Sequence, residues 1–172
     1  MPSTIIDSAI FGNIFSTAAM RKVFSDENRT QKYLDIEAAL ARVQARLGII
    51  PAEAADEIMK NCTLDRIDME KLRVQTERIG YPVLGVVQQL VAACRDNLGE
   101  YCHWGATTQD ITDTATMLQI REALDLIEAD MVAIADALAA LARRYRDTPM
   151  ADRKSTRLNS SHSLPSRMPS SA

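Results

Sequence analysis

The sequence is poor in the residues that staple or punctuate small folds. Its 172 residues include three cysteines, six glycines, six prolines, one tryptophan and two histidines, and aromatic residues make up 5%. Cys62, Cys94 and Cys102 are odd in number and show no Cys-x-x-Cys spacing, with only His103 close to any of them in sequence. A disulfide framework or a zinc site is therefore not expected, and nothing in the sequence calls for a metal or a cofactor. No run of 18 apolar residues occurs, and Met1 to Asp7 lacks the basic start and apolar core of a signal peptide, so neither a membrane span nor export is expected. The expected location is the cytoplasm. A formal net charge of -3 lacks the positive excess that a broad nucleic-acid footprint needs. What is left, 47% hydrophobic and 25% charged residues, is the composition of a globular domain or a piece of one.

That composition divides unevenly along the chain. Residues 152–172 hold seven serines against four in residues 1–151, and carry a charge of +3 against -6 for the rest. Asp152 to His162 (Asp-Arg-Lys-Ser-Thr-Arg-Leu-Asn-Ser-Ser-His) resembles the translation of a common sequencing adapter, and Arg167 to Ala172 resembles the end of the same adapter. Residues 152–172 are expected to be foreign to the gene product, which leaves His162 and the basic charge there without functional weight.

Between residues 1 and 151 the patterning is helical throughout. Tyr33, Ile36, Leu40, Val43 and Leu47 recur in steps of three and four, with Ser25-Asp26-Glu27 as an acidic start and Gly48 as a stop. Pro51 suits the start of a second helix, Ala52 to Asn61, carrying Ala54, Ala55 and Ile58. A third runs from Asp68 to Ile79 and ends at Gly80-Tyr81-Pro82, and a fourth carries Val83, Val87, Leu90 and Cys94 up to Asn97-Leu98-Gly99. The strongest pattern covers Gln109 to Asp147. Met117, Ile120, Leu124, Ile127, Met131, Ile134, Leu138, Leu141 and Tyr145 fill nine successive positions of the helical period, and Ala123, Leu126, Ala133, Ala137 and Ala140 widen the face. Such a helix would span roughly 58 Å at 1.5 Å per residue, too long for a globule of about 150 residues to cover, so its partners are expected outside this chain. No segment alternates with period two. The expected class is all-α, with residues 1–108 as an N-terminal helical domain and 109–151 as the start of a long-helix domain.

The segment Tyr101 to Ala115 joins the fourth helix to the long one and holds the one tryptophan and, outside the tail, the one histidine. Gly105 allows a turn, Thr107 or Thr108 can cap the helix, and Asp110 and Asp113 sit near its positive end. Two readings stay open on these residues alone. One is a well-made helix start with an aromatic staple. The other is a carboxylate or phosphate site, because hydroxyls and free N–H groups converge at a helix N-terminus.

His103-Trp104-Gly105-Ala106-Thr107-Thr108-Gln109-Asp110, followed by Asp113-Thr114-Ala115, resembles the first signature region of the fumarase/aspartase superfamily, in its adenylosuccinate lyase and 3-carboxy-cis,cis-muconate cycloisomerase branch. Ser25 to Arg29, Asp35 to Ala41 and Leu47 to Pro51 are similar to that branch's first long helix and the turn after it. The resemblance implies a homotetramer built on very long helices, with each active site assembled from three signature regions on three subunits. It implies addition or elimination next to a carboxylate, on a small dicarboxylate or tricarboxylate, with cycloisomerase-like lactone closure ahead of adenylosuccinate cleavage or another fumarate-releasing reaction. By the same resemblance Thr107, Thr108, His103 and Gln109 contact the substrate, while Trp104, Gly105, Asp110 and Asp113 shape the loop and helix start. The family's catalytic histidine and serine fall in segments beyond Thr148-Pro149-Met150-Ala151, so none of the present residues is expected to be a catalytic acid or base, and the chain is expected to be inactive by itself.

Two departures bear on the branch. Adenylosuccinate lyases carry an Arg-Tyr pair where this chain reads Ser3-Thr4-Ile5-Ile6-Asp7, and a histidine-bearing segment where it reads Arg78-Ile79-Gly80-Tyr81-Pro82-Val83. Both weaken a nucleotide substrate. A reading from another class is a helical interaction module whose long seam binds partner helices. Arg21, Lys22 and Arg29 are cations that could meet an anion or face solvent. Arg143, Arg144 and Arg146 suit the negative end of a helix.

Overall fold

The structure, a computed structural model, describes residues 4–149; residues 152–172, read above as foreign, lie outside the described residues. The described residues are helical and contain no strand. Two short helices absent from the sequence expectations come first, α1 (Gly12–Phe15) and α2 (Ala18–Val23). They have too few residues for a period to show, and Arg21 ties them together by bonding the carbonyls of Gly12 and Ser16 at 3.2 and 3.1 Å.

The longer helices start and stop where the local chemistry requires. In α3 (Asp26–Arg46) the Ser25 hydroxyl accepts from Asn28 N–H at 3.2 Å, and Asp26 and Glu27 complement the positive end. Its other end closes through Gly48, at φ +72°, with Gly48 N–H bonded to Ala45 O and Ile49 N–H to Gln44 O, which satisfies two terminal carbonyls. Pro51 caps α4 (Ala52–Asn61). Asp68 accepts from Lys71 N–H to start α5 (Met69–Ile79), and Gly80 at φ +96° ends it. α6 (Val83–Ala93) follows. After a 3₁₀ turn at Leu98–Tyr101 comes α7 (Thr108–Arg144), with Tyr145 to Asp147 forming a turn rather than further helix.

The chain divides into two units, one up to Asp130 and one from Met131. In the first, α3 and α4 pack extensively, and the core gathers Leu34 from α3, Ile58 from α4, Val86 and Leu90 from α6 and Ile111 from α7. The face of α3 that enters this core overlaps its apolar period only in the first part, where Tyr33 is buried and Ile36 packs against the core. Thr30, Tyr33, Leu34, Glu37 and Ala41 are buried, whereas Val43 and Leu47 are exposed. The buried face is mixed because Thr30 and Glu37 occupy interior positions that a hydropathy reading skips. In the second unit every described residue except the half-buried Ala139 is exposed. All nine positions of the α7 seam, from Met117 to Tyr145, are exposed.

Candidate active site

Between the 3₁₀ turn at Leu98–Tyr101 and α7 the chain is turned by two left-handed residues, His103 at φ +58° and Gly105 at φ +71°. At Gly105 nothing crowds the place of a Cβ, so the backbone angle alone favours glycine. At His103 a non-glycine residue takes a conformation that is sparsely populated, and such a residue persists where its surroundings hold it. The surroundings here are on α3. Glu37, 1% exposed, places Oε1 at 2.6 Å from His103 Nδ1, while its Oε2 accepts from Cys102 Sγ at 3.7 Å. About two turns further along α3, Gln44 donates to the Trp104 carbonyl at 2.7 Å. The Trp104 ring is half-exposed and tilts against Tyr101 with centroids 6.2 Å apart.

The start of α7 is fixed from within. Asp110 accepts from Thr107 N–H at 2.9 Å, the reciprocal half of a capping box, and Gln109 donates to Asp113 at 3.2 Å. Thr107, Gln109, Asp110 and Asp113 are exposed, and His103 and Thr108 are half-buried. A groove of about 440 Å³ opens beside the turn, lined by Ile36, Leu40, Gln44, Ile49, Trp104, Gly105, Ala106, Asp110, Ile111 and Thr114. Of the residues singled out in the sequence, Trp104, Gly105 and Asp110 line it; His103, Thr107, Thr108, Gln109 and Asp113 do not.

Nothing among the described residues activates the buried cysteines as nucleophiles. Burial first, and then the Glu37 charge, push the Cys62 thiol up to about 12 and the Cys102 thiol further still, so both stay protonated at neutral pH. Cys94 caps α6 and is half-buried. Of the cations noted in the sequence, Arg21 binds backbone carbonyls and Arg29 donates to Gln119 at 3.3 Å. Two residues absent from the sequence-based site, Glu37 and Gln44, hold the turn in place. Nothing in the sequence marks Glu37, because the interior face of α3 also carries Thr30 and so reads as mixed rather than apolar.

No helix among the described residues is long and apolar enough to cross a membrane. Residues 14–161 match the lyase family. Trans-aconitate decarboxylase 1 of Mycosarcoma maydis is 54% identical over 153 residues, which cover 89% of this chain and 31% of that protein. Among solved structures, a fumarate lyase from Mesorhizobium sp. BNC1 is 51% identical at a TM-score of 0.77, with 81% of this chain and 33% of that one covered. The 3-carboxy-cis,cis-muconate lactonizing enzyme of Pseudomonas putida is 39% identical at a TM-score of 0.80, with 85% and 34% covered. The chain thus spans about a third of the length of the relatives it matches.

Proposed function

Because this chain belongs to the lyase family of the fumarase/aspartase superfamily, we propose that it is the N-terminal part of a longer enzyme that makes or breaks a bond next to a carboxylate. The substrate class is a small unsaturated polycarboxylate. Trans-aconitate and 3-carboxy-cis,cis-muconate, named in two of the relatives, are both tricarboxylates with carboxylates on alkene carbons, and either reaction develops negative charge beside a carboxylate. That charge needs hydrogen-bond donors oriented before the reaction begins.

The observation that carries this reading is the rigid turn beneath the start of α7. Glu37 and Gln44 from α3 and Asp110 from α7 bond to His103, Trp104 and Thr107, leaving Thr107 exposed and Thr108 half-exposed at a helix N-terminus. The turn is insufficient by itself. No lysine or arginine lies between residues 96 and 120, while Asp110 and Asp113 place negative charge at the helix start. A polycarboxylate needs cations from outside this segment, in keeping with a site shared between signature regions. A homotetramer in the cytoplasm is part of the same reading; the exposed seam of α7 supports partner helices from outside this chain.

The cycloisomerase assignment rests on the wording of the turn; the 54% identity to a trans-aconitate decarboxylase favours loss of carbon dioxide instead. Product analysis by NMR separates lactone, decarboxylated acid and fumarate. Substituting Thr107→Val and Thr108→Val in the full-length protein tests the site. The expected result is a loss in kcat/KM of about 100- to 1000-fold, the scale for a deleted oxyanion donor, with helix content and melting unchanged. Retained turnover with helix content unchanged would take Thr107 and Thr108 out of the site, loss of helix content alone would leave the turn as a cap, and a wild-type full-length protein that yields none of the three products would favour the interaction module.

A further inference from the structure

Glu37 lies on the interior face of α3 with its side chain 1% exposed, and no lysine or arginine pairs with it among the described residues. An ionised carboxylate has acceptors only, and burying it is costly unless donors face it. The groups facing it are His103 Nδ1 at 2.6 Å and the Cys102 thiol at 3.7 Å. Burial and the carboxylate charge keep that thiol protonated, so it serves as a weak donor. The strong donor must be the ring, which places its proton on Nδ1. No hydrogen bond to Nε2 occurs among the described residues, and the ring is one-fifth exposed.

We infer that Glu37 is a positioning residue for the proposed carboxylate site: it fixes the His103 ring with the proton on Nδ1 and presents Nε2 to the substrate. In the neutral ring Nε2 is an acceptor and takes a proton; in the charged ring it donates to a carboxylate. The left-handed backbone at His103 is consistent with this, since a contact from α3 dictates the ring's place against the preference of its own backbone. The inference rests on the function proposed above, and Glu37 itself touches no substrate.

The test uses the full-length protein and two independent measurements. The first is the ring ¹⁵N spectrum, with the His103 signal identified by its loss in His103→Asn. The Nδ1-protonated form is expected in the wild type and in Glu37→Gln, whose amide oxygen still accepts; Glu37→Leu is expected to shift the proton to Nε2. A wild-type ring protonated on Nε2 alone, or one unchanged by Glu37→Leu, would overturn the inference. The second is kcat/KM with trans-aconitate and 3-carboxy-cis,cis-muconate as probes. Glu37→Leu is expected to cost about tenfold to a hundredfold, the scale for removing a group that orients a ligating histidine, and to cost nothing further once His103→Asn is present. Additive losses would show that Glu37 acts only on folding, against the inference. Where Glu37→Leu does not fold, Glu37→Asp, too short to reach the ring, replaces it with the same expectations. An Nδ1-protonated ring with full turnover in the Thr107 and Thr108 variants would sink the carboxylate site at the turn, and the positioning role with it. Full loss in those variants with an indifferent His103→Asn would sink the positioning role alone.

Discussion

Ile111, Ala115, Gln119 and Ala123 of α7 are buried, whereas Met117, Ile120, Leu124 and Ile127 on the same stretch of the same helix are exposed. The exposed set is the larger and more apolar of the two. The buried set contains two alanines and a glutamine, and it is anchored to its surroundings by polar contacts: Gln119 donates to the Val23 carbonyl at 2.7 Å and accepts from Arg29. Small residues let helices approach closely, and a satisfied amide fixes their register, so this face needs few large side chains. Apolar periodicity therefore located the face that this segment leaves open, and the face it closes is the quieter one.

The widest separation between the two faces is expected from truncating one large residue on each. In the 172-residue chain, Ile111→Ala should cost about 2–5 kcal/mol, the range for a core isoleucine, and Leu124→Ala no more than about 0.5 kcal/mol. Urea denaturation followed by the helix signal reads both. Equal costs in this chain would erase the distinction. The proposed assembly sharpens it: in the full-length protein Leu124→Ala should become costly while Ile111→Ala stays so.

A smaller effect is expected at Gln119, buried with both ends of its amide in use. Gln119→Leu keeps the bulk but removes both bonds; the Val23 carbonyl keeps the Asn28 amide at 2.8 Å and Arg29 is exposed to water, so the cost should be about 0.5–1.5 kcal/mol. The same change at the exposed Gln109 should stay within about 0.5 kcal/mol. A neutral or stabilising Gln119→Leu would mean that the face is held by shape and owes nothing to its polar anchors.

These contrasts explain what was legible in the sequence. Helix starts and stops were, because Ser25, Asp68, Gly48 and Gly80 act through their own backbone neighbours. The motif from His103 to Asp110 was, because its residues are contiguous. The groups that hold that motif were not, since Glu37 and Gln44 lie some 60 residues away in sequence and reach it only once α3 packs beneath the turn. The inner face of α3 was missed for a related reason. Thr30 and Glu37 read as surface residues until their partners are present, and the Tyr33-to-Leu47 period follows the interior only at its start, leaving Val43 and Leu47 exposed. α1 and α2 were too short for any period, and Arg21, read as an exposed cation, proved to be the tie between them.

The smallest expected effect lies at the edge of the buried face, at Glu122. Its carboxyl is held below the ordinary carboxylate range by the Lys32 ammonium and by the Asn28 amide at 2.9 Å, against the opposing push of burial. A carboxyl whose folded pKa is depressed contributes stability above its unfolded value of about 4.3, and that contribution is lost as pH falls through the folded value. With its side chain 35% exposed, solvent screens the pair, so the contribution should be no more than about 1 kcal/mol. Glu122→Gln should therefore lower the denaturation midpoint at neutral pH, and the gap from wild type should close once the pH is below the carboxylate range. Added salt at neutral pH should narrow it as well. If the gap instead persisted at low pH, the charge would be irrelevant, and the difference would lie in how a neutral carboxyl and an amide fit at this edge, since both accept from Asn28.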